Sequence, residues 1–184
     1  MPLGGVTAYA AAANGIYGNG TNGISIDINA APYTTFAGYA YGGNAYGAAG
    51  CAWFASARVN QLTGKGSTIR AGTNWWRNAS SLGYAKGQDA KAKAIACYEN
   101  HVAIVERIDG DTATISEGGY NAAAYKDYGY CRIATMSVSK LKSARGGAFL
   151  GFVYLGVSQE GTITDTDTCS TDYAGYYNVT AGDT

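Results

Sequence analysis

The longest stretch with helical spacing of apolar residues runs from Cys51 to Leu62 and contains neither glycine nor proline. Its apolar stripe consists of Ala52, Ala55, Val59 and Leu62. Residues at this spacing share one face of an α-helix, so the pattern predicts an amphipathic helix that stops at Gly64. A second, shorter helix is predicted from Asn74 to Leu82, where Trp75 and Trp76 supply bulk for a core or a groove.

Downstream, the apolar spacing changes to two residues, which is the period of a strand with one buried face. The segments His101 to Glu106 and Thr112 to Glu117 both alternate in this way and predict a hairpin that turns at Ile108-Asp109-Gly110. Further strands are predicted at Tyr130 to Met136, at Ala148 to Val157 and, upstream, at Ile24 to Ile28. Helices followed by an antiparallel sheet indicate an α+β fold.

Composition divides the chain into three parts. Residues 1–33 are rich in glycine, asparagine and alanine and are predicted to be an N-terminal lead-in segment. Residues 34–156 contain the predicted α+β domain. Residues 157–184 are rich in threonine and aspartate, which is typical of a linker, and they end in a short apolar segment that suggests the start of a truncated domain.

Charge and hydropathy exclude two classes of partner. The 13 basic residues are balanced by 13 acidic ones, so neither a nucleic-acid surface nor a polybasic membrane patch is indicated. No apolar run approaches the roughly 18 residues that span a bilayer, so no membrane insertion is expected. The 27 glycines and 16 tyrosines favour short strands, tight turns and half-buried surfaces over a helical bundle.

The chain has four cysteines and a single histidine, His101. The cysteine spacing forms no compact disulfide framework, and one histidine cannot complete a Cys2His2 metal site. A disulfide between Cys97 and Cys131 is left open.

Cys51 stands where a glycine-rich turn enters the predicted helix. Its sulfur would lie beside free backbone N–H groups and the positive end of the helix dipole, and both favour the nucleophilic thiolate. The same N–H groups could bind an oxyanion. The alternative interpretation is a small buried core residue, as is usual for a free cysteine.

His101 is the only imidazole in the chain and opens the first strand of the predicted hairpin. A cysteine nucleophile needs a proton acceptor that titrates near neutrality, and the chain offers no other histidine for this role. The alternative interpretation is a structural histidine whose hydrogen bonds are satisfied.

The hairpin geometry brings Glu117 into the hypothesis. With the common three-residue loop, Arg107 faces Asp111 and His101 lies directly opposite Glu117, with Cβ atoms about 5 Å apart. A carboxylate there would hold the imidazole in the productive tautomer. A two-residue loop would instead set Glu117 opposite Val102, on the other face, and leave it as a surface carboxylate.

These residues occur in the order of a papain-like active site: a helix-start cysteine, a strand histidine and a carboxylate on the partner strand. The blocks are Gly50 to Ala55 followed by Arg58, then His101 to Glu106, then Ile115 to Glu117. In combination they resemble the CHAP family, the cysteine, histidine-dependent amidohydrolases/peptidases of phage endolysins and bacterial autolysins. The similarity covers about Thr34 to Leu155.

The resemblance implies a papain-like fold in which the helix that carries the nucleophile packs on a central antiparallel sheet. It implies hydrolysis of an amide bond in peptidoglycan, either N-acetylmuramoyl–L-alanine or a bond of the stem peptide or cross-bridge, without a cofactor. The family's nucleophile maps to Cys51, its base to His101 and its orienting acid to Glu117.

Family members often carry an asparagine two residues beyond the acid, where this sequence has Gly119. Asn121 is the candidate substitute, and Asn44 could direct an amide toward the oxyanion. Some members bind calcium in an acidic loop before the nucleophile, but Tyr39 to Gly50 contains no Asp or Glu, so no metal site is predicted. Candidates for a substrate groove, with core packing as the alternative, are Trp53, Trp75, Trp76 and Tyr120.

The C-terminal segment Tyr176 to Thr184 resembles the first strand of a bacterial Src-homology-3-like wall-binding domain. The expected protein is therefore the catalytic part of a phage or prophage endolysin with a C-terminal wall-binding domain. The first residues lack the basic start of a signal peptide, so we expect synthesis in the bacterial cytoplasm and release to the wall during lysis, or secretion if a leader is missing.

Two alternatives stand beside this function. The lack of a second histidine counts against a wall peptidase whose third active-site residue is a histidine. A wall-binding module that keeps the fold without turnover remains the alternative from another class.

Overall fold

The computed structural model describes residues 14–35, 50–65, 72–143 and 145–158. Its helices are α1 (Cys51–Thr63), α2 (Gly72–Asn78) and α3 (Val138–Leu141), with 3₁₀ turns at Thr21–Gly23, Ser80–Leu82 and Ala122–Tyr128. Its strands are β1 (Ala85–Gly87), β2 (Ala94–Tyr98), β3 (Val102–Asp109), β4 (Thr112–Gly118), β5 (Cys131–Ser137) and β6 (Phe149–Tyr154). They form one six-stranded sheet in the order β1-β6-β2-β3-β4-β5, with every neighbouring pair antiparallel. The predicted α+β fold is confirmed.

Helix α1 begins and ends where the apolar pattern predicts. Gly64 ends it in the left-handed conformation (φ 70°), and the Gly64 N–H donates to the Asn60 carbonyl at 2.8 Å. The second predicted helix is correct as far as Asn78, after which Ser80–Leu82 form a separate 3₁₀ turn that stops at Gly83. No helix of the described ranges is long and apolar enough to cross a membrane.

The N-terminal residues belong to the core of the domain. Every residue of α1 from Ala52 to Val59 is buried, because the sheet covers one side of the helix and residues 16–33 cover another. Ile26 and Ile28 are 1% and 0% exposed, although no strand forms there. The strand predicted from Ile24 to Ile28 is therefore wrong, since an extended segment can bury alternate side chains without a hydrogen-bonded neighbour.

The predicted domain boundary at residue 34 needs the same correction. Tyr33 is 0% exposed, packs against the rings of Trp53 and Phe54, and its carbonyl accepts the Trp53 indole N–H at 3.0 Å. The lead-in segment, from residue 14 onward, is thus part of the same packed unit. The linker predicted for residues 157–184 lies outside the described residues beyond Ser158.

The β3–β4 turn differs from the predicted one. Asp109 pairs with Thr112, so the loop contains two residues, Gly110 and Asp111. Gly110 has the predicted positive φ, 55°. The predicted three-residue loop with Arg107 opposite Asp111 is wrong, and this turn alone would put the histidine and the glutamate on different faces.

A bulge in β3 reverses that effect. Glu106 is an extra residue between two registers of the ladder, and beyond it Ile104 pairs with Ser116. Extending this register by one residue places Glu117 opposite Ala103, which lies two positions after His101. His101 and Glu117 are therefore diagonal neighbours on one face, and the predicted direct pairing is corrected to a diagonal one.

Candidate active site

The sulfur of Cys51 lies at the first turn of α1. Gly50 precedes the helix in an extended conformation and provides no side-chain cap for its first turn. The backbone amides of Ala52 and Val102 both donate to the sulfur. The half-buried thiol thus lies where α1 meets the start of β3.

Gly118 allows this close approach of helix and sheet. A Cβ atom added at Gly118 would lie 2.8 Å from the Cβ of Phe54 and 3.3 Å from the carbonyl oxygen of Gly50. Any side chain at residue 118 would therefore push the first turn of α1 away from the end of β4.

His101 links the thiol to the carboxylate. The imidazole is buried (4% exposed), and its Nε2 lies 2.7 Å from Oε2 of Glu117. The ring also forms a hydrogen bond with the Cys51 side chain. Because Nε2 contacts Glu117, Nδ1 is the ring nitrogen that remains for the sulfur.

Glu117 is fully buried and is held by three cationic or ionisable side chains. Arg132 lies directly opposite it in the β4–β5 ladder and donates from Nε to Oε1 at 2.8 Å. Arg145, from the loop before β6, donates to the same oxygen. His101 occupies the other oxygen, so each carboxylate oxygen has a defined partner.

Cys51 and His101 shift each other's pKa toward an ion pair. Burial alone would raise the pKa of the Cys51 thiol, but the hydrogen bond and charge of His101 outweigh burial and lower it. Burial alone would lower the pKa of His101, but its bonds to Cys51 and Glu117 raise it to about 9. The thiolate–imidazolium pair is therefore favoured near neutral pH.

Glu117 stays ionised for the same reason. Burial would raise the pKa of this carboxyl, but the hydrogen bond with His101 and the charges of His101, Arg145 and Arg132 lower it to about 2. A carboxylate that stays ionised can orient the imidazole both when the thiol is protonated and when it is a thiolate.

The aromatic candidates separate into two groups. Tyr120 lies at the site, with its ring centroid 5.2 Å from that of His101. Trp53 and Trp75 are both 0% exposed, so they are core residues and the groove prediction is wrong for them. Trp76 is half-buried beside Lys86, and no contact within the described residues joins it to the thiol or the imidazole.

Of the two predicted asparagines, the structure describes only Asn121, and it does not bring Asn121 to the site. Asn121 is exposed in a left-handed conformation before the Ala122–Tyr128 turn, and its side chain makes no hydrogen bond to the thiol, imidazole or carboxylate. Arg132 and Arg145 contact the carboxylate instead, which corrects the Asn121 hypothesis. Asn44 and the loop predicted to lack calcium lie outside the described residues.

Cys97 and Cys131 are free, buried thiols, so the disulfide left open by the sequence is not formed. Each donates to a nearby backbone carbonyl, that of Ile95 or Gly129. Burial raises the pKa of both thiols, which keeps them protonated and unreactive.

A second buried charge cluster lies along α1, beyond the thiol. Arg58 forms a two-pronged ion pair with Glu106, at 2.8 Å for each contact, and Lys93 binds the same carboxylate at 3.0 Å. Ser116 donates to it at 2.6 Å. The cluster fixes the β3 bulge against α1, so the Arg58 of the sequence motif has a structural partner.

The thiol lies at the start of α1, and the antiparallel sheet positions the imidazole and the buried carboxylate beside it. This arrangement defines a papain-like cysteine hydrolase fold. The CHAP domain family model matches residues 39–119, which contain the thiol, the imidazole and the carboxylate. This part of the chain is therefore similar to a CHAP domain.

The solved structures similar to this chain include the N-acetylmuramoyl-L-alanine amidase from Staphylococcus aureus, 22% identical with a TM-score of 0.44, over 58% of this chain and 30% of that one. Ly7917 is 17% identical with a TM-score of 0.44, over 58% of this chain and 53% of that one. Ly7917 with the hydrolyzing product of MDP gives the same identity and coverage with a TM-score of 0.45. The chain thus spans 30% to 53% of the length of these proteins. No curated protein matched the sequence.

Proposed function

We propose that this chain is a peptidoglycan hydrolase that cleaves an amide bond of the bacterial cell wall through Cys51, His101 and Glu117. The observation that carries the proposal is the hydrogen-bonded series from the thiol through the imidazole to the carboxylate, with 2.7 Å between His101 Nε2 and Glu117 Oε2. The match of residues 39–119 to the CHAP domain model supports the same chemistry.

In the first half of the reaction, the Cys51 thiolate attacks the carbonyl carbon of the amide and forms a tetrahedral oxyanion. The positive end of the α1 dipole, where Gly50 provides no side-chain cap, favours that oxyanion. The imidazolium of His101 gives its proton to the amide nitrogen, the C–N bond breaks, and the amine leaves. The acyl group remains on sulfur as a thioester.

In the second half, water replaces the amine. His101, now neutral, takes a proton from the water while the oxygen attacks the thioester carbonyl. The C–S bond then breaks, which releases a carboxylic acid and restores the thiolate–imidazolium pair. Glu117 keeps the ring oriented and stabilises its cation in both halves.

Clearing of a turbid cell-wall suspension tests the proposal. Cys51→Ala removes the nucleophile, and we expect the clearing rate to fall on the order of 10³-fold or more. Cys97→Ala is the matched control, because it removes a buried, protonated thiol and should clear at nearly the parent rate.

The outcomes separate the candidate functions. A Cys51→Ala chain that clears as fast as the parent would show that Cys51 is not the nucleophile. Binding to wall preparations by both chains, with clearing by neither, would favour the non-catalytic wall-binding module.

The bond that is cut follows from the fragments of a defined muropeptide digest. New amino termini at L-alanine, read by mass spectrometry, indicate an amidase, and termini inside the stem or bridge indicate an endopeptidase. We further propose that the chain acts at the wall as the catalytic part of a phage or prophage endolysin. Clearing of living host cells only after the membrane has been permeabilised would support this role.

A further inference from the structure

A row of aromatic side chains leads away from the candidate active site. We call it the tyrosine surface, and its members are Tyr120, Tyr125, Tyr17 and Tyr128, with Arg132 between the first two. All four tyrosines and Arg132 lie outside residues 39–119, so the CHAP match does not include them.

Continuous contacts connect the row to the triad. The Arg132 guanidinium lies 5.2 Å from the ring centroid of Tyr120 and 5.3 Å from that of Tyr125. Arg132 also donates to the Tyr125 hydroxyl at 3.0 Å and to Glu117 at 2.8 Å. Arg132 therefore connects the Glu117 carboxylate, which orients His101, to Tyr120, the first ring of the row.

The far end of the row is exposed and held in place. The Tyr17 ring lies 5.0 Å from that of Tyr125 and 5.1 Å from that of Tyr128. Tyr17 is 45% exposed, and within the described ranges it is the only large hydrophobic residue that is exposed and not buried or half-buried. Its backbone is fixed to β5, because it donates to Cys131 at 3.1 Å and accepts from Ile133 at 2.7 Å.

This combination suits a sugar chain better than a peptide. Aromatic faces carry negative charge density that attracts the polarised C–H groups of a sugar ring, while tyrosine hydroxyls and an arginine fork can bond hydroxyl and acetamido oxygens. An extended peptide would instead need free backbone groups at a sheet edge. At β5 that edge is already used by Tyr17 between Cys131 and Ile133.

We propose that the tyrosine surface binds the glycan strand of peptidoglycan, with a sugar on the exposed ring of Tyr17 and the strand passing Tyr125 toward Tyr120. The inference rests on the proposed function and adds a direction to it: the scissile amide lies at Cys51, and the glycan runs from there along the β5 edge. A preformed platform of rigid rings loses little conformational entropy when a sugar covers it.

Titration of the Cys51→Ala chain with chitotetraose, a tetramer of N-acetylglucosamine without stem peptide, tests the surface without turnover. Tyr17→Ala in this background should weaken binding about three- to tenfold, the loss expected for one aromatic contact. Tyr17→Phe, which keeps the ring, should restore most of the affinity. Tyr84→Ala is the matched control, because this half-buried tyrosine precedes β1 at the opposite edge of the sheet.

Each result decides the inference. No saturable binding of chitotetraose by the parent background, or equal affinity for Tyr17→Ala and its parent, overturns it. Equal losses for Tyr17→Ala and Tyr84→Ala also overturn it, because the effect would then be unspecific. The proposed function fails separately, through a catalytically competent Cys51→Ala chain or a parent that clears no wall.

Discussion

At the residue scale, Glu117 is a carboxylate shared by three groups that carry or can carry positive charge. Arg132 and Arg145 bind one oxygen and His101 the other. Together with the carboxylate and the Cys51 thiolate they leave an excess of one positive charge around the reacting atoms. In a buried site this excess favours thiolate over thiol.

The pH dependence of kcat/KM for wall hydrolysis should report this charge balance. We expect a bell with an alkaline limb near the His101 pKa of about 9 and an acid limb below the usual thiol range, because the Cys51 pKa is lowered. Arg145→Gln removes a nearby cation, which raises the pKa of both groups. Both limbs should therefore move to higher pH, by about half a unit to one unit.

Arg107→Gln is the control for that measurement. Arg107 pairs with the exposed Asp109 at 3.0 Å on the hairpin, far along β3 from the imidazole, so its loss should leave both limbs in place. A lower rate for Arg145→Gln with unmoved limbs would mean that Arg145 only supports the fold.

The sequence reveals some of these residues and conceals others. Cys51 and His101 are visible because one begins the clearest helix and the other is the only histidine. The contact of Arg132 with Glu117 cannot be predicted from the sequence, because the residues between β4 and β5 leave the register of these two strands undetermined. Arg145 reaches Glu117 from a loop, where no periodicity indicates the direction of a side chain.

At the scale of elements, the distance between α1 and the sheet decides whether the thiol meets the imidazole. Gly118 sets that distance, since a Cβ there would lie 2.8 Å from Phe54. The first turn of α1 carries both Phe54 and Cys51, so a shift of one displaces the other.

Gly118→Ala should therefore lower the rate of wall clearing by at least about tenfold while costing about 1–3 kcal/mol of stability, because overpacking moves the nucleophile. Chemical denaturation gives the free energy of unfolding, and clearing of a wall suspension gives the rate.

Gly64→Ala provides the comparison at the other end of α1. Nothing lies within 4 Å of its added Cβ, but its φ of 70° makes alanine strained. It should cost about 1–2 kcal/mol of stability and keep most of the activity. Similar losses of rate in the two variants would show that stability, and not the position of α1, controls turnover.

Element prediction succeeded where periodicity is strong and failed where burial is two-sided. Helix α1 and strands β3 and β4 follow clear 3.6- and 2-residue patterns. Strand β2, Ala94–Tyr98, was missed because all its residues are buried, so no alternation marks it. The β3 bulge was missed because an extra residue leaves no trace in the apolar pattern.

At the scale of the whole molecule, the domain is larger than its catalytic motifs suggest. Ile16, Ile26, Ile28 and Tyr33 are each at most 2% exposed and share a core with α1 and the sheet. Composition alone predicts a lead-in segment here, because glycine and asparagine are abundant and the few buried residues that anchor the segment form no periodic pattern.

Ile28→Ala should lower the free energy of unfolding by about 2–5 kcal/mol, the usual cost of a cavity at a buried isoleucine. Thr34→Ala, at an exposed neighbouring position, should change it by less than about 0.5 kcal/mol. Urea unfolding followed by tryptophan fluorescence measures both. A negligible loss for Ile28→Ala would mean that the N-terminal residues are dispensable for folding.

The extra residue at Glu106 restricts how this hairpin can change in length. Each single-residue insertion or deletion in β3 or β4 between the bulge and the histidine or glutamate would turn one of the two side chains to the opposite face of the sheet. Length changes there can preserve the imidazole–carboxylate contact only in compensating pairs. Functional relatives of this chain should therefore keep the parity of the His–Glu separation, or carry a second irregularity that restores it.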